Sequence, residues 1–341
     1  MIKLFSDTKI DELLNLLNTS SNISMVTHVN PDGDAIGSVL AWSNFLKEKG
    51  INSTVIVPNH FPDFLKWING TENILVYFNQ KDRCERILKS SDLLFCCDFN
   101  KISRLEALGE FIETLGIKKV LIDHHIGVEE KDFALIFSKV PISSTSEIIY
   151  HIIRQITGKK HVAPRIAEPL YTGIMTDTGA FTHSCSPEMF RIVADLMECG
   201  ISREQIHSKV YSSFSVNRMR LMGYFINKIE VLPEYRTAYI SLTREELDRF
   251  KFEPGDTEGF VNIPLSIKDI VLSVFFTESK EGFIKLSLRS TGQFSVDNMS
   301  RKYFQGGGHK NASGGKSFVS LDETVSFFKS ILPEFKDDLI Y

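Results

Sequence analysis

Three short apolar runs in the first part of the chain, residues 23–29, 91–97 and 119–122, each give way to acidic or histidine side chains. Runs this short, set between amphipathic helical stretches, are what buried strands of a parallel sheet look like. In such sheets, functional groups gather beyond the carboxyl ends of the strands. The first run leads into His28-Val29-Asn30-Pro31-Asp32-Gly33-Asp34, the second into Asp98 and the third into Asp123-His124-His125. A fourth station, Asp177, closes Tyr171-Thr172-Gly173-Ile174-Met175-Thr176-Asp177.

Carboxylates this close in sequence repel one another, and placing them at strand ends is costly without a cation. A lone Asp-Gly-Asp is commonly an exposed turn. Four stations along one chain are hard to assign to turn chemistry, and they point to a metal-dependent hydrolase.

The rest of the pattern alternates. Helices are expected at residues 7–17, 35–49, 81–90, 103–115, 148–157 and 163–176, and strands at 24–29, 54–57, 92–97 and 119–122. Ser144-Thr145-Ser146-Glu147 matches a capping box. The alternation predicts an α/β fold, with a mostly parallel, doubly wound sheet covered by helices on both faces. A helical stretch runs from Ser186-Pro187 to about Ile229, broken at Gly200, and its later part reads as the connector. The expected limits are therefore a first domain at 1–200, a helical linker at 201–232 and a smaller α/β domain at 233–341. In the last, strands are expected at 237–242, 270–277 and 283–290, and a helix at 295–304.

Charge and cysteine usage narrow the function. A net charge of −4 gives no global basic field to hold long duplex nucleic acid. The cysteines, Cys84, Cys96, Cys97, Cys185 and Cys199, form no Cys-x2-Cys pair and suit a reducing cytoplasm. No apolar run reaches the roughly 18 residues of a membrane span. Residues 1–18 are amphipathic and charged, unlike a secretory signal.

The stations His28-x3-Asp32-x-Asp34, Asp98, Asp123-His124-His125 and Asp177 resemble those of the DHH phosphoesterase family, named for the triplet. Gly306-Gly307-Gly308-His309, followed by Ala312-Ser313-Gly314, resembles the signature of the DHHA1 domain. Together they cover nearly the whole chain, and its layout is similar to the nanoRNase/pAp-phosphatase subgroup. The resemblance implies two divalent cations, manganese first, with magnesium or cobalt as alternatives. It implies that His28 and Asp32 hold one, that Asp34, His124 and Asp177 hold the other, and that Asp98 bridges both. Asp123 would orient His124 or its neighbour, and His125 would face the substrate as phosphate ligand or general acid. The implied catalytic set is thus Asp98, Asp123 and His125. Arg104, His125, Arg289, Ser290, Gly306, Gly307, Gly308 and His309 would bind substrate, Arg289 as a bidentate phosphate grip and the glycines through their amides.

The implied activity is hydrolysis of short single-stranded RNA to 5′-mononucleotides, and of 3′-phosphoadenosine 5′-phosphate, in a cleft between the domains. A homodimer is compatible with this reading. Two alternatives stay open: a phosphodiesterase for cyclic dinucleotides or their linear products, and a nucleotide-binding regulator without turnover. A processive single-strand exonuclease would bring a further nucleic-acid-binding domain. A family II pyrophosphatase would lack Gly-Gly-Gly-His.

Overall fold

The apolar runs at the start of the chain pair into one all-parallel sheet. The computed structural model describes residues 3–340, and the chain divides after Ser213 into two units, each with its own sheet. In the first unit the strands are β1 (Ile23–Val26), β2 (Ser53–Val57), β3 (Leu75–Val76), β4 (Leu93–Cys97), β5 (Lys118–Asp123) and β6 (Leu135–Ser138). Their order is β3-β2-β1-β4-β5-β6, and every pair is parallel. The chain winds outward from β1 in one direction and from β4 in the other. The space beyond the ends of β1 and β4 is therefore the topological switch point, where such folds place their ligands.

The helices of this unit are α1 (Asp7–Thr19), α2 (Gly33–Glu48), α3 (Tyr77–Ser90), α4 (Ala107–Glu113), α5 (Thr145–Thr157), α6 (Pro164–Asp177), α7 (Pro187–Glu198) and α8 (Arg203–Tyr211). Along each central strand successive side chains enter opposite cores. Met25, Phe95, Cys97 and Val120 pack in one, while Val26, Leu94, Cys96 and Leu121 pack in the other. Burial on both faces is what made these strands read as continuous apolar runs.

Several local expectations change. β1 ends at Val26, not at residue 29, because the Val29 N–H donates to the Arg104 carbonyl (3.0 Å) instead of a sheet neighbour. The expected helix 103–115 is divided into a 3-10 turn, Ile102–Leu105, and α4, with Glu106 between them at φ +51°. α3 starts ahead of residue 81 but is kinked at Gln80, where φ is −131°. Only half of the capping box forms. The Ser144 hydroxyl accepts the Glu147 N–H (3.0 Å), but the Glu147 carboxylate turns to the N–H and hydroxyl of Ser143. β6 was not anticipated.

The second unit contains α9 (Val216–Asn227), β7 (Glu230–Leu232), β8 (Thr237–Leu242), α10 (Arg244–Arg249), β9 (Leu272–Glu278) and β10 (Ile284–Ser290). It continues with α11 (Val296–Tyr303), β11 (Gly307–His309), β12 (Ala312–Ser317), α12 (Leu321–Ile331) and α13 (Lys336–Ile340). The sheet order is β11-β12-β10-β9-β8-β7, and only the β8–β9 pair is parallel. One face packs Leu272, Val274, Leu286 and Leu288 against Met299 and Phe328. On the other face, Ile240 and Phe275 lie with Leu221 and Phe225 of α9. The helical stretch from residue 187 has a second break, between α8 and α9, where Ser215 caps α9 by accepting the Arg218 N–H at 3.0 Å. No helix among the described residues is long and apolar enough to cross a membrane.

Candidate metal centre

Strand ends and helix starts converge at the switch point of the first sheet. His28 lies just past β1, and Asp98 follows β4 directly. Asp98 is held at φ +66°, a left-handed conformation that aspartate tolerates better than most residues, while its N–H donates to Ile122 O at 3.0 Å. Asp32 is the N-cap of α2, and its Oδ1 accepts the N–H groups of Asp34 and Ala35, both at 3.0 Å. Its second oxygen is turned toward His28. Asp34 sits in the first turn of α2, buried, and faces the start of α5. Its Oδ2 accepts Thr145 N–H at 2.6 Å and its Oδ1 accepts Ser146 N–H at 2.9 Å. The helix terminus thus offers two unpaired donors and a favourable dipole to one carboxylate.

Asp177 is the last residue of α6, and it reaches this place because α2 and α6 cross very closely. A Cβ on Gly37 would lie 2.5 Å from the Pro169 carbonyl, and one on Gly173 would lie 2.7 Å from Asp34 Oδ1.

The side chains form two groups joined by Asp98. His28, Asp32 and Asp98 offer ligand atoms within 4.8 Å of one another, and so do Asp34, His124 and Asp177. Asp98 Oδ2 lies 3.4 Å from His28 Nε2, while its Oδ1 lies 3.6 Å from His124 Nε2. His124 Nε2 is also 3.4 Å from Asp177 Oδ2 and 4.0 Å from Asp34 Oδ2, and His28 Nε2 is 4.0 Å from Asp32 Oδ2. Asp123 serves His125, not His124. Its Oδ1 accepts from Nδ1 at 2.7 Å and its Oδ2 accepts the His125 N–H at 3.1 Å. Nδ1 of His124 lies 3.3 Å from the Ile142 carbonyl instead.

The protonation pattern shows strong mutual repulsion. Burial and the charges of Asp98 and Asp177 push the Asp34 carboxyl well above its ordinary range. Burial also raises Asp177, to about 6, against the pull of His124 and with the help of Asp32 and Asp98. Burial opposes charge on Asp98 too, but the His28 hydrogen bond and the fields of His125, His28 and His124 hold its carboxyl well below the usual range. Burial likewise opposes charge on His124, yet Asp177, Asp98 and Asp34 raise it to about 10. Asp34 and Asp177 therefore resist ionisation while Asp98 keeps its charge, and added positive charge at this place would relieve both. The donors are imidazole nitrogens and carboxylate oxygens with no thiolate, a set suited to manganese or magnesium. The residues therefore fit a divalent-cation centre.

Arg104 stands beside this cluster, close enough for its charge to act on His28. His125 belongs to the same unit, and the remaining expected substrate residues lie in the second unit. Arg289 on β10 and His309 on β11 both pair with Ala312 of the strand between them, so the two share one row of the sheet. The buried Ser290 hydroxyl is already engaged, donating to Phe294 O (2.7 Å) and accepting from Asn311 (2.9 Å). The glycine run is a strand, not an open loop. The Gly306 N–H donates to Ser300 O at 3.2 Å and that of Gly308 to Asp297 Oδ1 at 2.7 Å. Two of the three amides expected to meet a phosphate therefore point to protein acceptors.

Sequence reasoning missed Thr145, whose hydroxyl donates to Asp98 Oδ1 at 2.9 Å and whose N–H meets Asp34. The Ser-Thr-Ser-Glu segment signalled a helix start, and the partners of that start lie about a hundred residues earlier.

Comparison with known proteins agrees with this architecture. The model of the DHH family N-terminal domain matches residues 22–174, and that of the DHHA1 domain matches residues 235–333. The chain is 27% identical to the bifunctional oligoribonuclease and PAP phosphatase NrnA of Bacillus subtilis (strain 168), over 92% of this chain and 94% of the relative. It is 39% identical to an exopolyphosphatase-related protein from Bacteroides fragilis, whose crystal structure superposes with a TM-score of 0.93 over 100% of both chains. RecJ from Thermus thermophilus, in complex with Mn2+, shares the fold at 12% identity, with a TM-score of 0.56 over 97% of this chain and 54% of RecJ. Matching family domains in chain order, and a full-length relative at this identity, place the chain in the DHH family of phosphoesterases, in the branch that carries a DHHA1 domain.

Proposed function

We propose that the chain hydrolyses short single-stranded RNA to 5′-mononucleotides, with 3′-phosphoadenosine 5′-phosphate as a second substrate, using two divalent cations, Mn2+ first. The observation that carries this reading is Asp98, a buried carboxylate whose two oxygens face separate ligand groups. His28 and Asp32 would hold one cation, Asp34, His124 and Asp177 the other, and Asp98 both. Cations so held neutralise a phosphate, acidify a water and steady a leaving oxygen.

The protein's own groups do the rest. The α5 amides fix the Asp34 carboxylate, and Thr145 fixes that of Asp98. Asp123 accepts a hydrogen bond from Nδ1–H of His125 and so fixes the ring, and Nε2 of the imidazolium would be the nitrogen that hands its proton to the departing oxygen and leaves a neutral imidazole. Arg289 and His309, in one row of the second sheet, bind the phosphate and sugar of the terminal nucleotide. The likeness to NrnA supports the choice of substrates. The absence of disulfides among the described cysteines is compatible with a cytoplasmic setting.

The test is one panel with Mn2+: diadenylate, RNAs of three and five nucleotides, a 24-mer, cyclic di-AMP and 3′-phosphoadenosine 5′-phosphate. RNAs of two to five nucleotides should give the highest kcat/KM. Cyclic di-AMP as the best substrate, or a rate climbing to the 24-mer, would overturn the assignment.

A further inference from the structure

The second sheet carries charge on a face that its core does not use. Along β10 the side chains alternate: Ile284, Leu286 and Leu288 enter the core, while Lys285, Ser287 and Arg289 point the other way. On that outer side the β8–β9 half is covered by the cluster around Phe225, Phe260 and Phe275. The β10–β12 half is different. Lys285 is exposed and stands directly opposite Lys316 of β12. Like charges at paired positions cost stability in an antiparallel ladder. Between Lys285 and Arg289 the floor is small: Ser287 pairs with Gly314 and Arg289 with Ala312. A Cβ on Gly314 would meet nothing nearer than Leu286 O, at 3.6 Å, so packing does not demand the glycine.

Two aromatic rings close the far end. Phe283 precedes β10 and Phe318 follows β12, with ring centroids 6.2 Å apart, and Phe318 is 65% exposed. The Lys316 ammonium lies 4.7 Å from the Phe283 ring centroid. Lys285, Lys316 and Arg289 thus set three cationic side chains along this half of the face.

We propose that this strip, running from Arg289 through Lys285 and Lys316 to Phe283 and Phe318, is an anchoring track for the distal nucleotides of a single-stranded oligonucleotide. The run from Arg289 to Phe283 is about 20 Å long, room for about two or three nucleotides beyond the one at Arg289. The paired lysines flank the backbone phosphate that passes between them, and a base stacks on the exposed phenylalanine. The track rests on the RNA reading above and gives it a length scale, because affinity rises with each nucleotide until the aromatic end is reached and then levels off.

The test uses the full chain and fluorescein-labelled oligoadenylates of two and five nucleotides. Anisotropy is read in EDTA, so that binding is separated from turnover, and kcat/KM is measured in parallel with Mn2+. The wild type should bind the pentamer about tenfold more tightly than the dimer. Lys285→Ala with Lys316→Ala should bring that ratio close to one. It should also lower the salt slope of pentamer binding by about 0.7 for each lost phosphate contact. Phe318→Ala should lower the ratio while leaving the slope unchanged, and Lys285→Arg should preserve both. An unchanged ratio in the double variant, or an equal loss for dimer and pentamer, would overturn the track. A wild type that hydrolyses RNA but binds both lengths alike sinks the track and spares the activity. One that prefers the pentamer but turns over no RNA does the reverse.

Discussion

Asp98 and Asp34 are both buried aspartates in one cluster, and their environments push them in opposite directions. Asp98 faces three imidazoles and stays ionised, whereas Asp34 meets burial and two like charges and takes up protons readily. His124, raised to about 10, is protonated at pH 7 in the metal-free protein. A histidine must lose that proton to ligate a metal. Mn2+ binding at pH 7 should therefore release protons, and affinity should rise with pH as the His124 proton becomes easier to remove. Calorimetry in buffers of different ionisation enthalpy reads this directly, and proton uptake, or affinity that falls toward high pH, would refute it. Asp123→Asn should lower kcat by roughly 10- to 100-fold through misorientation of His125, the usual cost of losing such a partner. Full activity would remove Asp123 from the mechanism. At this scale the acids and histidines were legible, because carboxylates crowded at strand ends need a counter-charge to be tolerated there. Thr145 was not, since its role depends on where a helix start points and not on its neighbours in sequence.

Among the elements, the α2–α6 crossing decides whether the centre can exist. It sets Asp34 at the start of one helix against Asp177 at the end of the other. Gly37→Ala places a methyl 2.5 Å from a backbone carbonyl, and the helices must part to accept it. It should cost about 1–3 kcal/mol of stability, as overpacking does, and weaken Mn2+ binding because Asp177 moves with α6. Urea denaturation and metal titration check both, and an unaltered midpoint and affinity would show that the crossing is not tight. The β–α alternation could be read from sequence because the central strands are buried on both faces. β6 escaped because its burial alternates, with Ile136 and Ser138 only partly covered. The glycines 306–308 suggested an open anion cradle, but Gly307 and Gly308 belong to strand β11 and the Gly306 and Gly308 amides meet acceptors on α11, Ser300 O and Asp297 Oδ1, which the triplet alone does not reveal.

At the scale of the whole molecule, the proposed function gives the cations to the first unit and the nucleotide to the second. Arg289→Ala and His309→Ala should each weaken substrate binding or rate by about 1.5–3 kcal/mol, roughly ten- to a hundred-fold, with metal content unchanged. Loss of metal in either variant would contradict the division. The central claim is that Asp98 joins two cation sites into one hydrolytic centre. The most direct measurement titrates Mn2+ into chelator-treated wild type and Asp98→Asn, following ions bound per chain together with diadenylate turnover. The wild type should bind two ions, with turnover appearing as the second binds. Asp98→Asn should keep an intact fold by circular dichroism, bind at most one ion and show almost no turnover. Near-normal turnover in Asp98→Asn with two ions bound, or wild-type turnover in excess chelator, would contradict this claim.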